Sequence, residues 1–269
     1  MGIPLIKTVI DSYRFAIQNL GGIFFLGLPF IVAQGFLMWS AGELLFTTDA
    51  NWQYRIIVDY ILMILLVPVA MSVHRAIILD ENYDTEFWAN LLSLRSLKFL
   101  ALLLIPSIMA DAASFAFKTL APQLSILNPS ILFSMVSMFI VFVLACCYVG
   151  VRLSVALPLI AIEASQPIKG ALLATKNHFW KLFLLTFLSV LPPMACIFLI
   201  TYATMMSEQI NWGLQSGFPN WLIAFTILLN VIAVISVAIM AATISYFMKY
   251  RREQDPSIAA ATEAERQFS

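Results

Sequence analysis

One carboxylate of this chain lies inside an apolar run, where burying its charge costs free energy. Asp111 lies about 13 residues into the apolar run 98–118, which corresponds to roughly 20 Å along a helix. An acid placed among apolar groups in this way is often retained because it carries a proton or an ion. Asp111 is therefore a candidate coupling group for transport. The alternative is that it reaches the outer end of the run or pairs with Lys118, two turns later.

Two side-chain amides occupy the interiors of other apolar runs. Gln34 belongs to the first run and Asn230 to the last. Together with Asp111 they could line a polar path through a membrane. Amides at such positions more often form hydrogen bonds between neighbouring helices, so both interpretations stay open.

Basic residues stand at the ends of the apolar runs, where they could bind phosphate groups. A lysine or arginine near an anionic lipid surface contributes about 1 kcal/mol of attraction. An arginine that closes an apolar helix can also extend its side chain toward the headgroups. The predicted contacts with lipid headgroups are Arg14, Arg75, Arg95, Arg152, Lys169 and Lys176.

The sequence lacks the motifs of several other chemistries. It has no nucleophile elbow, phosphate loop, HExxH or CxxC motif and no nucleic-acid signature. Its three cysteines are Cys146, Cys147 and Cys196, which do not have the spacing of a disulfide framework or a metal site. We predict a non-enzymatic protein with no metal, no cofactor and no nucleic-acid partner.

The composition indicates the solvent in which the chain folds. Hydrophobic residues make up 61% of its 269 residues and charged residues only 11%, against ~25% in a soluble domain. In lipid the backbone must pair internally, as helices or closed barrels, and these runs lack the alternation of barrel strands. The sequence predicts an all-α integral membrane protein with six spans, at about 22–45, 57–74, 98–118, 131–151, 182–206 and 221–247.

The basic residues are distributed unevenly between the two sides of this membrane. If the N-terminus is cytoplasmic, thirteen Lys and Arg residues fall in inner segments, against only Arg55 and Lys118 outside. This excess predicts that both termini are cytoplasmic. Residues 1–248 would form the transmembrane domain and 249–269 a cytoplasmic tail. The tail is expected to be frayed, apart from a short helix beginning near Asp255.

Three segments of mixed polarity precede the first, third and fifth spans. Apolar residues recur at helical spacing on one face of 6–20, 85–97 and 166–180, and polar residues occupy the other face. This pattern predicts amphipathic helices that lie in the plane of the cytoplasmic surface. Ser165 is expected to cap the third of them, and Pro167 to occupy its first turn.

The segments and spans recur as a unit. Two copies match at an offset of 77 residues, whereas a third fits loosely and has no arginine at the matching distance. We predict a three-fold repeat of one amphipathic helix followed by a transmembrane hairpin. The matching positions are Pro29 with Pro106, Gln34 with Asp111, and Arg75 with Arg152.

The stretch 145–190 resembles a known family. It has an arginine that closes a span, the run "ALPLIAIE" and a basic helix ending in "NHFWKLFLL". It is similar to the six-span membrane domain attached to some bacterial glycerophosphoryl diester phosphodiesterases, and to YciC-like inner-membrane proteins. The resemblance implies a multi-pass protein of the bacterial inner (plasma) membrane without phosphodiesterase activity, which belongs to a separate soluble domain. The matching positions are Arg152, Pro158, Glu163, Asn177 and Trp180.

These observations lead to two hypotheses about function. The first is a non-enzymatic inner-membrane protein that engages lipids, chiefly anionic ones, or partner proteins, with a role in membrane or envelope homeostasis. The alternative is a transporter or lipid-moving protein that uses Asp111 for coupling and the prolines inside its spans as hinges. A protein partner or a homo-oligomer is compatible with either.

Overall fold

A computed structural model describes residues 4–46, 52–83, 86–127, 129–211 and 220–262. Every regular element in these ranges is a helix. The helices are α1 (Leu5–Gln18), α2 (Leu20–Phe46), α3 (Trp52–Leu79), α4 (Phe87–Leu91), α5 (Leu94–Leu127), α6 (Pro129–Ser154), α7 (Ala156–Ala161), α8 (Pro167–Thr175), α9 (Phe179–Asn211), α10 (Asn220–Gln254) and α11 (Pro256–Ala261).

Six of these helices are long and apolar enough to cross a membrane. They are α2, α3, α5, α6, α9 and α10, and each contains one predicted span and extends it at both ends. The prediction of an all-α chain with six such helices is confirmed. Helix α10 continues to Gln254, so the boundary placed after residue 248 falls inside a helix.

Helices α2, α3 and α10 pack on one another at the centre of the bundle. Helix α2 lies close to α10 at Gly27, where an added methyl carbon would lie 2.4 Å from Cγ1 of Val234. Small residues allow such an approach, and close packing is a main source of helix association in lipid. The main buried cluster includes Ile23, Leu26, Val69, Met71, Ala238 and Ala242.

The other three long helices lie at the periphery. Helix α5 pairs with α6, and α9 packs on α10. Only 12–17% of the span residues of α5, α6 and α9 are buried, against 44% in α3 and α10. The exposed residues of the peripheral helices are largely apolar, as contact with lipid requires.

The three hairpins return the chain to one end of the bundle, where the short helices lie. We call this end, which carries Arg75, Arg152 and Arg251, the basic end. Helix α7 is buried there along its whole length, between α3, α5, α8 and α10. Because it is buried in this way, α7 packs between the hairpins and anchors the ends of the long helices.

The second segment of mixed polarity does not form one helix. Helix α4 ends at Leu91 and α5 begins at Leu94, because the side chain of Ser93 accepts the backbone N–H of Ser96 at 3.2 Å and caps the new helix. Its polar side is turned only partly to solvent, since Glu86 is exposed. Asn90 is buried and donates to the hydroxyl of Ser72 at 3.3 Å.

The third segment ends earlier than predicted. Helix α8 stops at Thr175, and Asn177 adopts a left-handed backbone conformation with φ of 61°, which asparagine tolerates at a helix end. Pro167 occupies the first turn, as predicted. The N-cap residue is Gln166 rather than Ser165, and no side-chain hydrogen bond caps the helix, so the prediction of a serine cap is wrong.

The C-terminal segment is packed rather than frayed as far as Thr262. Asp255 is the N-cap of α11 and accepts the backbone N–H of Ser257 at 3.0 Å, which confirms the predicted helix start. These bonds from Ser257 hold the pKa of the Asp255 carboxyl below its usual range. Ile258 and Thr262 are fully buried, and α11 packs on α8 beside Gly170.

Candidate site at the basic end of the bundle

Several cations of the basic end donate to carbonyls at the C-terminal ends of helices. The last carbonyls of a helix have no partner within it, and the helix dipole favours positive charge there. These cations therefore hold the helix ends together. The contacts are Lys249 Nζ with Ile77 O at 3.4 Å, Arg75 Nη1 with Ala161 O at 3.5 Å, Arg152 Nη2 with Leu172 O at 3.2 Å, and Arg251 Nε with Ala174 O at 3.1 Å.

Each of the three hairpins has an arginine in this role near its return to the basic end. Arg75 lies near the end of α3, Arg152 near the end of α6 and Arg251 near the end of α10. Sequence spacing paired only the first two. Arg251 comes 99 residues after Arg152 rather than 77, because α9 and α10 follow longer connecting segments.

Two of the six predicted lipid contacts are already compensated by carboxylates. Arg75 Nη2 lies 3.0 Å from Glu81 Oε2, and Arg95 Nη1 lies 3.7 Å from Glu163 Oε1. Both guanidinium groups are largely covered by protein. The structure thus gives Arg75 and Arg95 protein partners in place of free access to lipid phosphate.

Arg152 is held differently, by neutral groups alone. Its Nε donates to Thr175 Oγ1 at 3.1 Å, its Nη1 to the hydroxyl of Tyr148 at 3.1 Å and its Nη2 to the carbonyl of Leu172 at 3.2 Å. No carboxylate of the described ranges lies within 4 Å of it. The guanidinium is therefore fixed in place while its charge stays uncompensated.

The remaining three predicted contacts are exposed. The side chain of Arg14 is 66% exposed and lies 3.7 Å from the carboxylate of Asp11. Lys169 and Lys176 are exposed as well, and neither makes an ion pair within the described residues. These three cations are accessible to a ligand.

Large apolar side chains are exposed beside these cations. In a soluble protein such a surface would be an interaction patch, and next to basic residues it is typical of an interfacial position in a membrane. The exposed residues are Ile6, Ile10 and Ile17 on α1, Trp88, Leu92, Leu94 and Leu97 at the α4–α5 corner, and Ile168, Leu172 and Trp180 on α8 and α9.

Helix α1 buries its small polar residues rather than its isoleucines. Thr8, Ser12 and Ala16 form the buried face. Tyr13 attaches the helix to α9 by donating its hydroxyl to the carbonyl of Ser189 at 2.8 Å, and burial raises the pKa of this phenol. The isoleucines on another face are left free to contact lipid.

Within the long helices, Asp111 is paired with a residue that the sequence did not indicate. The hydroxyl of Tyr60 on α3 donates to Asp111 Oδ2 at 2.5 Å. The predicted alternative partner, Lys118, has a side chain outside the described residues. Tyr60 lies in a different apolar run, so no periodic pattern in the sequence relates it to Asp111. The packing of α3 against α5 brings the two residues together.

The two predicted amides lie on the neighbouring helices α2 and α10. Asn230 is only 8% exposed. Its Nδ2, like Oε1 of Gln34, is buried without a hydrogen-bond partner in the described residues. The structure therefore divides the predicted polar set: Asp111 is paired between α3 and α5, whereas one buried atom of each amide, on α2 and α10, has no partner in the described residues. Buried polar atoms without partners are uncommon and mark places where water or a ligand can bind.

A further buried polar pair joins α3 to α10. His74 is fully buried, with Nδ1 2.7 Å from the hydroxyl of Ser245 and its ring 5.7 Å from that of Phe99. Ser245 also donates to the carbonyl of Ala241 at 2.9 Å. The tight packing around the pair suits a structural hydrogen bond between spans.

The bundle consists of six long apolar helices, and basic residues lie together at one of its ends. These features define a multi-pass helical membrane protein. Among known proteins no family model, no curated sequence and no solved structure matches this chain. The resemblance to membrane domains of phosphodiesterases therefore stays a prediction.

Proposed function

We propose that the protein is a non-enzymatic, multi-pass component of the bacterial inner membrane, with both termini in the cytoplasm, that engages anionic phospholipids through its basic end. Its biological role would lie in membrane or envelope homeostasis. The observation that carries the proposal is the repeated pairing of exposed cations with exposed large apolar side chains. Such pairs suit the boundary between headgroups and acyl chains, where the cation meets phosphate and the apolar group meets the chains.

This pairing occurs on the first and third short segments. On α1, Arg14 lies beside the exposed Ile10 and Ile17. On α8, the exposed Ile168 and Lys169 are consecutive. We infer that both helices lie in the plane of the membrane surface, with their buried faces on the bundle and their isoleucines in the lipid.

The three segments and their hairpins support the proposal of a three-fold repeat. Each hairpin has an arginine near its return to the basic end that donates toward the end of a short helix, namely Arg75, Arg152 and Arg251. A repeated unit of this kind would bring three similar lipid-facing segments to one surface. The second copy departs from the others, because its short helix α4 has only five residues.

Replacing the three exposed cations together, as Arg14→Gln, Lys169→Gln and Lys176→Gln, should weaken the preference for anionic lipid. At about 1 kcal/mol for each cation, enrichment of phosphatidylglycerol over phosphatidylcholine should fall on the order of tenfold to a hundredfold. The measurement is the lipid composition retained after extraction from nanodiscs that contain both lipids. Because exposed charges are screened, the wild-type preference should also weaken with salt.

Lys118→Gln is the control on the other side, since the distribution of basic residues predicts that Lys118 lies on the opposite side of the membrane. It removes a single charge and should lower the phosphatidylglycerol preference much less than the triple variant does. An unaltered preference in the triple variant would refute lipid engagement by these cations.

A second candidate function, movement of lipid or solute through the bundle, is favoured by the polar groups inside the spans. Asp111 is paired with Tyr60 at 2.5 Å, and buried amide atoms of Gln34 and Asn230 lack partners within the described residues. A carboxylate that is held by one hydroxyl within the described residues can exchange that partner for a passing ligand.

For this candidate, Asp111→Asn should lower flux at least about tenfold while the protein is still produced and folded, since an amide cannot take up and release a proton as a coupling carboxylate does. The assay is transbilayer movement of fluorescent phosphatidylglycerol in proteoliposomes. Ser107→Ala, one turn away on α5, is the control, because the bond of the Ser107 hydroxyl within the part of the chain that the structure describes is to Leu103 O of its own helix. Equal flux in Asp111→Asn and wild type would eliminate the transport hypothesis.

A further inference from the structure

One corner of the basic end is built from a stretch of sequence that is almost free of acidic residues. It is formed by the end of α6, by α8 and by the first turns of α9, and α6 contacts both of the other helices. Between Asp111 and Glu208 the sequence has a single acid, Glu163, which lies beside Arg95. The basic residues of the corner are Arg152, Lys169, Lys176 and Lys181.

Arg152 differs from the other arginines whose contacts the structure describes at this end. Arg75, Arg95 and Arg251 each lie within 4 Å of a carboxylate, whereas the partners of Arg152 within the described ranges are neutral oxygens. A guanidinium has five N–H groups, and three hydrogen bonds leave two of them for another acceptor. Its bond to Thr175 is partly buried, and those to Tyr148 and Leu172 are on the exposed side.

The hydroxyl of Tyr148 extends this arrangement. It accepts from Arg152 and so keeps its own O–H for donation to a second acceptor. The ring lies 5.6 Å from the guanidinium carbon and 4.7 Å from the ring of Phe179, and Phe179 in turn meets Trp180 at 5.1 Å. Aromatic rings at this level are typical of the headgroup region of a membrane.

We propose that this corner, which we call the Arg152 corner, is a specific site for the phosphate of one anionic phospholipid. Arg152 and Tyr148 donate to the phosphate oxygens, and the nearby Lys176 and Lys181 add positive charge. The acyl chains lie along the exposed apolar residues Phe183 and Phe187 of α9. A planar guanidinium held in advance suits phosphate better than a mobile ammonium, because two parallel hydrogen bonds form with little further ordering.

The site rests on the proposed lipid function and specifies it. General attraction by exposed cations would enrich anionic lipid around the protein without holding any one molecule. A fixed guanidinium and a hydroxyl would retain a single lipid in defined stoichiometry. Free phosphate lacks acyl chains and should compete poorly for the site.

The test is native mass spectrometry of the full chain, released in mild detergent from nanodiscs of phosphatidylglycerol and phosphatidylcholine. We expect one phosphatidylglycerol to remain on the wild-type protein, and its retention to fall at least about tenfold in Arg152→Gln and in Tyr148→Phe. The Tyr148→Phe variant leaves the bonds of Arg152 to Thr175 and Leu172 in place, so it tests the site without freeing α8. Inorganic phosphate added in large excess should displace little of the lipid.

Arg75→Gln is the matched control, because Arg75 ends α3 as Arg152 ends α6 but is compensated by Glu81. It should retain the lipid. Retention in all three variants, or loss in Arg152→Gln but not in Tyr148→Phe, would overturn the site. If the triple variant Arg14→Gln, Lys169→Gln and Lys176→Gln weakened the phosphatidylglycerol preference in either case, the proposed function would stand without this site. An absence of that preference in the wild type would refute both.

Discussion

Gly27→Ala is expected to destabilise the protein by about 1–3 kcal/mol, the usual cost of overpacking a tight contact. An added methyl would stand 2.4 Å and 2.9 Å from the two γ-carbons of Val234, well inside contact distance. Val234 is 1% exposed and α10 lies at the centre of the bundle, so the side chain has little space into which it can turn. Thermal unfolding in mild detergent, followed by tryptophan fluorescence, measures the effect.

The partner in this contact can be identified by a double substitution. Val234→Ala removes the atoms with which the new methyl collides, so Gly27→Ala should cost less in that background than in the wild type. Gly21→Ala, in the same helix, is the control, because nothing lies within 4 Å of the position where its methyl would be. If Gly21→Ala and Gly27→Ala changed the melting temperature equally, close approach of α2 to α10 would not be the cause.

Arg251→Met should be the most damaging replacement of a basic residue at the basic end. Arg251 is 8% exposed, donates to Ala174 O at 3.1 Å and lies 3.8 Å from Asp255. Removing it takes the side-chain donor from the carbonyl of Ala174 near the end of α8, and a hydrogen bond from a charged group contributes about 1.5–3 kcal/mol. Hydrogen exchange should therefore quicken in α8 and α11, with a smaller change in α2.

Arg252→Met is the neighbouring control, since Arg252 is less buried and bears the same charge. It should leave exchange in α8 unchanged. A uniform increase across all helices in Arg251→Met would indicate general destabilisation and would count against a specific link between α8, α10 and α11.

The long helices could be predicted from the sequence because their signal is local. Apolar runs of sufficient length define spans whatever their neighbours, and all six observed helices contain the predicted ranges. The start of α11 could also be predicted from the sequence, since Asp255 followed by Pro256 is a helix-start pattern. The sequence signal for the break between α4 and α5 is weaker. It is a serine whose side chain competes with the helix for the hydrogen bonds of the backbone.

The partners of the charged residues could not be predicted in the same way. Hydropathy places Arg75 and Arg152 at the end of a span but cannot distinguish a guanidinium beside Glu81 from one held by neutral oxygens. The partner of Asp111 is 51 residues away, and the carbonyl that Arg251 reaches is 77 residues away. Such contacts depend on how the hairpins pack together, and a hydropathy profile of the sequence contains no information about that packing.

The hydrogen bond between Arg251 and Ala174 also determines when, during synthesis of the chain, the end of α8 can complete its contacts. The ribosome makes the end of α8 first and adds the donor 77 residues later, which at about 5–20 residues per second takes roughly 4–15 s. During that interval α11 does not yet exist, and the side of α8 that will meet Ile258 and Thr262 is uncovered. The middle of the protein can therefore reach its final packing only after the last span has entered the membrane, so a nascent chain arrested before Arg251 should expose α8 to protease.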